Sequence, residues 1–262
     1  MKLAIAATPK VAIPTIEELQ KHHQVTIVTQ PDRPAGRGNR MRPSEVAQNF
    51  PVALKPENES DLQAILQGSD LLITIGYGRI LRDTTLQIPR FGGINLHFSL
   101  LPKWRGAAPV QRAIEAGDEK SGVTVFQMDA GMDTGPIWHQ IEYEIPKEAS
   151  SNDLFDSLSE LGVEAVKASL LQIEKGSEPV PQNGIPSIAR KIDKSECVID
   201  WKRSADEIWR KVRAFGSNPG VYTTIRGVRI KVLEVKPVVN SEVQLQAGSL
   251  TPEGIVATGD GA

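Results

Sequence analysis

The chain has 262 residues, 40% hydrophobic and 24% charged, with a net charge of −2 and a single cysteine, Cys197. That length suits two domains and buries enough surface to fold without a metal or a disulfide. The charge excludes polyanion binding by bulk attraction, and one cysteine excludes both an intrachain disulfide and a CxxC zinc site, in keeping with a reducing, cytoplasmic setting.

Lys2 to Ala7 is a short apolar run that stops at Thr8-Pro9. It is too short for a signal peptide or a membrane span and reads as a first buried strand, so no membrane partner is expected. Pro14 to Lys21 reads as a helix with proline in its first turn. Gln24 to Gln30 is β-branched and reads as a second strand. This βαβ order favours a parallel sheet. Pro31 to Pro43 reads as a loop, Ser44 to Asn49 as a helix capped by Ser44, and Asp61 to Gly68 as another helix. Asp70 to Ile75 reads as a fully buried strand and Gly93 to His97 as a strand end, with a helix from Ala107 to Ala116 behind it. Val123 to Met128 and Ile137 to Ile145 are further strands. Ser150 to Glu174 is a long helix, with Leu154, Leu158, Leu161, Ala165 and Ala168 at helical spacing.

From Gly176 to Pro186 proline and glycine accumulate, as in a linker. Beyond it lie a helix around Ala205 to Ala214 and four short strands, at Val221–Thr224, Val228–Val235, Gly248–Leu250 and Ile255–Thr258. The expected fold is α/β. A Rossmann-like, mostly parallel sheet carries helices on both faces, and a small C-terminal β-barrel-like (OB-like) module follows.

Asn95 and His97 share one face of their strand because side chains alternate. They sit near its C-terminal end, where open α/β sheets place ligands. Asp133 follows in a glycine-flanked turn that can return to that edge. An amide, an imidazole and a carboxylate suffice for acyl transfer to an amine without a metal. When an amine attacks a formyl carbon, negative charge develops on oxygen. Asn95 and a protonated His97 are the expected donors to it, each worth roughly 3–4 kcal/mol. Asp133 is the expected acceptor of the amine's proton, worth roughly 10²–10⁴ in rate. The same carboxylate is expected to raise the His97 pKa and keep the ring cationic near neutral pH. The competing reading, a hydrogen-bonded structural histidine and an ordinary Asp-Thr-Gly turn, stays open on these residues alone.

The residues around them add a resemblance. Ser99-Leu100-Leu101-Pro102-Lys103-Trp104-Arg105-Gly106-Ala107-Ala108-Pro109 after Asn95-Leu96-His97, then Gly122-Val123-Thr124, then Met128-Asp129-Ala130-Gly131-Met132-Asp133-Thr134-Gly135, resemble the formyltransferases that use 10-formyltetrahydrofolate. Thr29 to Gly38 (TQPDRPAGRG) narrows the resemblance to members that act on methionyl-tRNA. Asp200-Trp201, Val212 to Phe215 and Asn218-Pro219-Gly220 resemble their C-terminal module. The resemblance covers essentially the whole chain.

It implies formyl transfer from 10-formyltetrahydrofolate, as co-substrate, to the α-amino group of initiator methionyl-tRNA, by a cytoplasmic monomer with no metal. It puts the catalytic trio on Asn95, His97 and Asp133, and the folate-contacting segment on Ser99, Leu100, Leu101 and Pro102. There the leucines would pack on a flat pterin while Ser99 meets its polar edge. Gly76-Tyr77-Gly78 to Leu81 would form another pocket wall. It implies a catalytic domain over 1–176, a linker over 177–196 and a C-terminal tRNA-binding domain over 197–262. Ala7 and Val11 depart from the family's usual Gly and Phe. The end at Ala262 comes early, so a short or truncated barrel is expected.

Arg33, Arg37, Arg40 and Arg42 share one loop with no acid between Asp32 and Glu45. From Cys197 to Lys231, eight Lys or Arg face three Asp or Glu. These patches, with Arg213 in the second, are the expected contacts to tRNA phosphates. Three alternatives compete. A formyltransferase acting on an amino sugar nucleotide or glycinamide ribonucleotide would share the trio but not need the arginine loop. A dinucleotide-binding Rossmann protein would need a G-x-G-x-x-G where Thr8-Pro9 stands. A non-enzymatic RNA-binding module would leave the trio unexplained.

Overall fold

The computed structural model describes residues 1–35, 38–216, 218–238 and 245–260. It forms two compact units. The first comprises Met1–Arg105, Gly122–Tyr143 and Phe155–Ile188, and the second Gly106–Ser121, Glu144–Leu154 and Ala189–Ala262.

In the first unit the chain runs through β1 (Lys2–Ala7), α1 (Ile13–Gln20) and β2 (Gln24–Val28). Leu3 to Ala7 are all buried, as a strand covered on both faces requires. Within the expected loop lies a small antiparallel hairpin, β3 (Arg33–Ala35) and β4 (Arg40–Arg42), which sets Arg33 directly opposite Arg42. Next comes α2 (Glu45–Asn49), where the Ser44 side chain accepts from the Ala47 N–H. Then α3 (Glu59–Leu66) starts two residues before its expected beginning. Asn58 is its cap, and Asn58 and Asp61 bond each other's backbone reciprocally. After β5 (Leu71–Ile75), wholly buried, come α4 (Asp83–Leu86) and β6 (Gly93–His97).

The chain continues through β7 (Arg105–Gly106), α5 (Pro109–Ala116), β8 (Lys120–Gln127), β9 (Ile137–Glu144) and α6 (Ser151–Glu174). The main sheet has the order β2-β1-β5-β6-β8-β9. Pairings β1/β2, β1/β5 and β5/β6 are parallel, and β6/β8 is antiparallel. This mixed six-stranded sheet flanked by helices is the Rossmann-like architecture. Ala4, Ala6, Val28, Leu62, Leu66 and Leu72 pack into one core cluster on it. On β6, Leu96 faces opposite to Asn95 and His97. It meets Gly162 of α6, where an added Cβ would lie 2.7 Å from a Leu96 methyl. The glycine lets the helix seat closely on the sheet face that does not carry the polar pair.

In the second unit, β10 (Ile188–Ala189) leads into α7 (Ala205–Phe215), capped by a reciprocal Ser204–Glu207 pair. Phe215 is fully buried there, with the Arg112 guanidinium 5.7 Å from its ring centre and bonded to Glu115 and Glu196. β11 (Val221–Ile225) and β12 (Val228–Val232) form an antiparallel hairpin. The two expected strands after residue 247 are represented by one antiparallel bridge, Leu250 to Val256. Among the described residues this small module is built mainly of antiparallel pairs, with one parallel bridge from Val198 to Tyr222, and no helix is long and apolar enough to cross a membrane.

Candidate active site

The site grows from three neighbouring strands, β5, β6 and β8. In the β5/β6 register Thr74 lies opposite Asn95, and in the β6/β8 register Asn95 lies opposite Phe126 and His97 opposite Thr124. Cross-strand partners share a face. Thr74 is buried, and its hydroxyl donates to Asn95 Oδ1 at 2.8 Å. A hydroxyl that holds the amide oxygen leaves the NH₂ end of Asn95 as the donor offered to anything else.

His97 is buried, 6% exposed, with the Phe126 ring edge-on to it. Its Nε2 lies 2.8 Å from the Trp104 carbonyl oxygen. A carbonyl only accepts, so Nε2 carries a proton and Nδ1 is the nitrogen that titrates. Nδ1 faces Asp133 Oδ2 at 3.7 Å, an ion-pair distance longer than a hydrogen bond. The structure therefore brings the late carboxylate beside the imidazole.

The expected charge on His97 is corrected. Burial, which penalises the charged ring, is the largest influence and pulls the pKa below the ordinary histidine value. The Asp133 charge and the Trp104 carbonyl push it up, but by less. Burial thus works against the charged ring, and Nδ1 faces Asp133.

Both residues that face the imidazole have left-handed backbone, Trp104 at φ 63° and Asp133 at φ 54°. Such conformations cost roughly 1–3 kcal/mol each and survive where the surroundings dictate them. Local chemistry supplies part of that. Asp129 Oδ1 accepts from the Gly131 N–H and the Thr134 hydroxyl, closing the turn ahead of Asp133. At Gly135 an added Cβ would collide with the Gln127 carbonyl oxygen, so the loop returns there only with glycine.

The Ser99–Pro102 segment is held tightly. Ser99 Oγ donates to the Lys103 carbonyl at 2.6 Å, and its own carbonyl accepts from Thr124 Oγ1 at 2.6 Å. The Ser99 hydroxyl thus bonds within its own loop, where the sequence reading turns it toward a ligand edge. Leu101 is buried, its N–H bonded to Thr124 Oγ1 and its carbonyl to Gln140. Leu100 lies against Gly122, and the Leu101–Pro102 peptide is cis. On the other expected wall, the Tyr77 carbonyl accepts from both Thr8 and Gln30.

Of the expected tRNA contacts, Arg33, Arg40 and Arg42 are exposed on the hairpin, and Arg37 lies outside the described residues. Arg33 and Arg79 both donate to Gln30 Oε1, so two guanidinium groups converge there. Arg213 is placed differently. It donates to the Ala149 carbonyl, stacks on Trp209 at 4.1 Å, and its Nε is buried without a hydrogen-bond partner.

Sequence reasoning did not single out Thr74, Arg79 or Gln182. Thr74 had a readable signal, as the lone polar residue in the apolar run Leu71–Ile75. Gln182 had none, being one polar residue in a proline-rich stretch. Among the described residues, no group of three or more His, Cys, Asp or Glu is placed to hold a metal ion.

A mixed sheet that gathers an amide, an imidazole and a carboxylate on one side of β6 suits a group-transfer enzyme, and the chain belongs to the formyl transferase family. The formyl transferase model matches residues 1–170, and the model for the formyl transferase C-terminal domain matches residues 191–262. Among curated relatives, the methionyl-tRNA formyltransferase of Pseudomonas fluorescens (strain SBW25) is 42% identical over 89% of this chain and 77% of its own length. That of Pseudomonas paraeruginosa (strain DSM 24068 / PA7) is 40% identical over 100% of this chain and 89% of its own. Among solved structures, the N-formyltransferase of Helicobacter canadensis, in complex with folinic acid and dTDP-3-aminofucose, superposes with a TM-score of 0.68. It is 23% identical, over 89% of this chain and 86% of its own. HypX of Aquifex aeolicus in complex with tetrahydrofolic acid has a TM-score of 0.71 at 20% identity, over 99% of this chain and 42% of its own. These structures share the fold.

Proposed function

We propose that the protein transfers a formyl group from 10-formyltetrahydrofolate to the α-amino group of initiator methionyl-tRNA, yielding N-formylmethionyl-tRNA for translation initiation. The observation that carries the chemistry is the placement of His97, with Nε2 tied to Trp104 and Nδ1 facing Asp133, two positions from Asn95 on one strand face. The names of relatives at about 40% identity over most of the chain support the acceptor.

In this reading the amine nitrogen attacks the formyl carbon and the carbonyl π electrons move onto oxygen. The Asn95 NH₂, aimed by Thr74, donates to that oxygen. The amine's proton passes to the Nδ1–Asp133 pair, whose lone pair and carboxylate both face it. The C–N bond to the folate then breaks, and the same proton goes to the departing nitrogen, so the site ends as it began. An α-amino group has a pKa of about 8, so a useful fraction is neutral before attack.

The Ser99–Pro102 segment is the proposed folate contact. Leu100 and Leu101 supply its apolar surface, and the hydroxyl of Ser99 supports the loop. Arg33, Arg37, Arg40 and Arg42 are the proposed contacts to tRNA phosphates, with Arg213 shaping the second patch. The working division is a catalytic domain over 1–176, a linker over 177–196 and an RNA-binding domain over 197–262, in a cytoplasmic monomer. The test is formylation by the purified chain, with 10-formyltetrahydrofolate and three acceptors: charged initiator tRNA, an amino sugar nucleotide and glycinamide ribonucleotide. Turnover with the tRNA alone is expected. Turnover with a small amine and none with the tRNA overturns the reading.

A further inference from the structure

We propose that Gln182 is a positioning residue for the transfer site, and that residues 182–187 act as a strap holding both flanks of His97. The inference rests on the transfer chemistry proposed above.

Gln182 uses its whole amide inside the site. Its Nε2 donates to the Asp133 carbonyl at 2.9 Å and to the Gly135 carbonyl at 2.8 Å. Its Oε1 accepts from Arg105 Nη2 at 2.6 Å and Nε at 3.2 Å. A guanidinium has no acceptor, so the oxygen of the amide faces Arg105 and the NH₂ faces the two carbonyls. Glutamate at this position would set a carboxylate oxygen against carbonyl oxygens, and asparagine would fall a methylene short.

Five residues on, the same segment grips the other flank. Ser187 Oγ accepts from the Trp104 N–H at 2.9 Å, and the Ser187 carbonyl accepts from the Arg105 N–H at 2.8 Å. The strap therefore bonds the main chain of both Trp104 and Asp133, the two residues of left-handed backbone that face the imidazole. Gln182 does not reach the reacting atoms. It acts through Asp133, fixing the turn that sets the 3.7 Å separation between Oδ2 and Nδ1.

The experiment compares wild type with Gln182→Met and Gln182→Glu in the full chain. Formyl transfer to methionyl-tRNA, melting temperature, and the titration of His97 by NMR without substrate are all measured. The kcat is expected to fall about 10²-fold in both variants, as for a reacting group displaced by about an ångström, while KM changes little. In Gln182→Met the His97 titration is expected to move to lower pH, because Asp133, the charge that raises it, is no longer held. Gln182→Glu keeps an acceptor for Arg105, so a loss in that variant traces to the two bonds to the loop. Variants that only melt earlier, with wild-type kcat and an unmoved His97 titration, overturn the proposal. Should Gln182→Met fail to fold, Arg105→Lys removes the fork that aims the amide, and an unmoved His97 titration there overturns it equally. A wild-type protein that transfers no formyl group sinks the functional reading instead, and the His97 titration still decides the role of Gln182.

Discussion

Replacing Thr74 with valine tests whether the amide of Asn95 is aimed rather than merely present. The two side chains have nearly the same shape, so no cavity opens in the buried strand. What is lost is the 2.8 Å bond to Asn95 Oδ1. A bond of this kind is worth roughly 1–1.5 kcal/mol and favours one of the two senses of the amide by that amount. Without it, equal populations would cost about two-fold in kcat. A reversal of the same size would cost about ten-fold. Deleting the donor altogether, as in Asn95→Ala, should cost about 10²–10³. Steady-state kinetics on the three single variants, Thr74→Val, Thr74→Ser and Asn95→Ala, and on the Thr74→Val/Asn95→Ala double variant give the test. Thr74→Val should lower kcat about two- to ten-fold, Thr74→Ser should keep it near wild type, and Thr74→Val should add nothing on top of Asn95→Ala. A Thr74→Val enzyme with full kcat refutes the reasoning. So does one that slows the Asn95→Ala enzyme by the same factor again.

Because burial holds the His97 pKa below its unfolded value, the unfolded chain binds the extra proton more readily. Its contribution is therefore neutral above about pH 6.5 and destabilising as pH falls below that. Urea unfolding at pH 5 and pH 7.5 should show a smaller acid loss in His97→Gln than in wild type, and equal losses would remove the argument. Gly135→Ala should abolish transfer while leaving helix content by circular dichroism unchanged, since only the loop meets the Gln127 carbonyl; a normally active variant contradicts the close approach. Arg33→Ala, Arg40→Ala and Arg42→Ala should each weaken tRNA binding and lower the slope of log K against log salt by about one unit. Binding titrations at several salt concentrations report this, and unchanged slopes exclude the hairpin as a phosphate contact.

Patterns with short range were legible in the sequence. Alternation put Asn95 and His97 on one face, β-branched runs marked the strands, and the motif residues placed Asp133 in a returning turn. What escaped depends on contacts far apart in the chain. The bond from Thr74 to Asn95 spans 21 residues, and those from Gln182 to the Asp133 turn span up to 49. Neither partner is implied by its neighbours. The proline and glycine content that makes Gly176–Pro186 read as a linker keeps it out of regular helix and strand, and residues 182–187 bond two loops instead. The arginine loop hid a hairpin because Arg33 and Arg42 face each other, a like-charge pairing that costs energy in a bare sheet. One neutral acceptor, Gln30, takes up part of that charge.

The charge of His97 carries the mechanism furthest from the sequence expectation. A carboxylate nearby argues for an imidazolium, and residue types alone cannot weigh that against the cost of burial. In the folded site burial is the larger influence and disfavours the charged ring, and the basic nitrogen lies toward Asp133. This suits the reaction better than a permanent cation. In the reaction proposed above, a neutral Nδ1 takes the proton that the attacking amine must lose, and Asp133 stabilises the cation formed only at that moment. The stabilisation thus appears in the transition state and not in the ground state, which is the kind that raises kcat. The Trp104 carbonyl adds to this by keeping Nε2 protonated throughout, so the proton in transit has one nitrogen to use. An imidazolium already present before substrate arrives would have no such lone pair, and Asp133 alone would have to carry the proton.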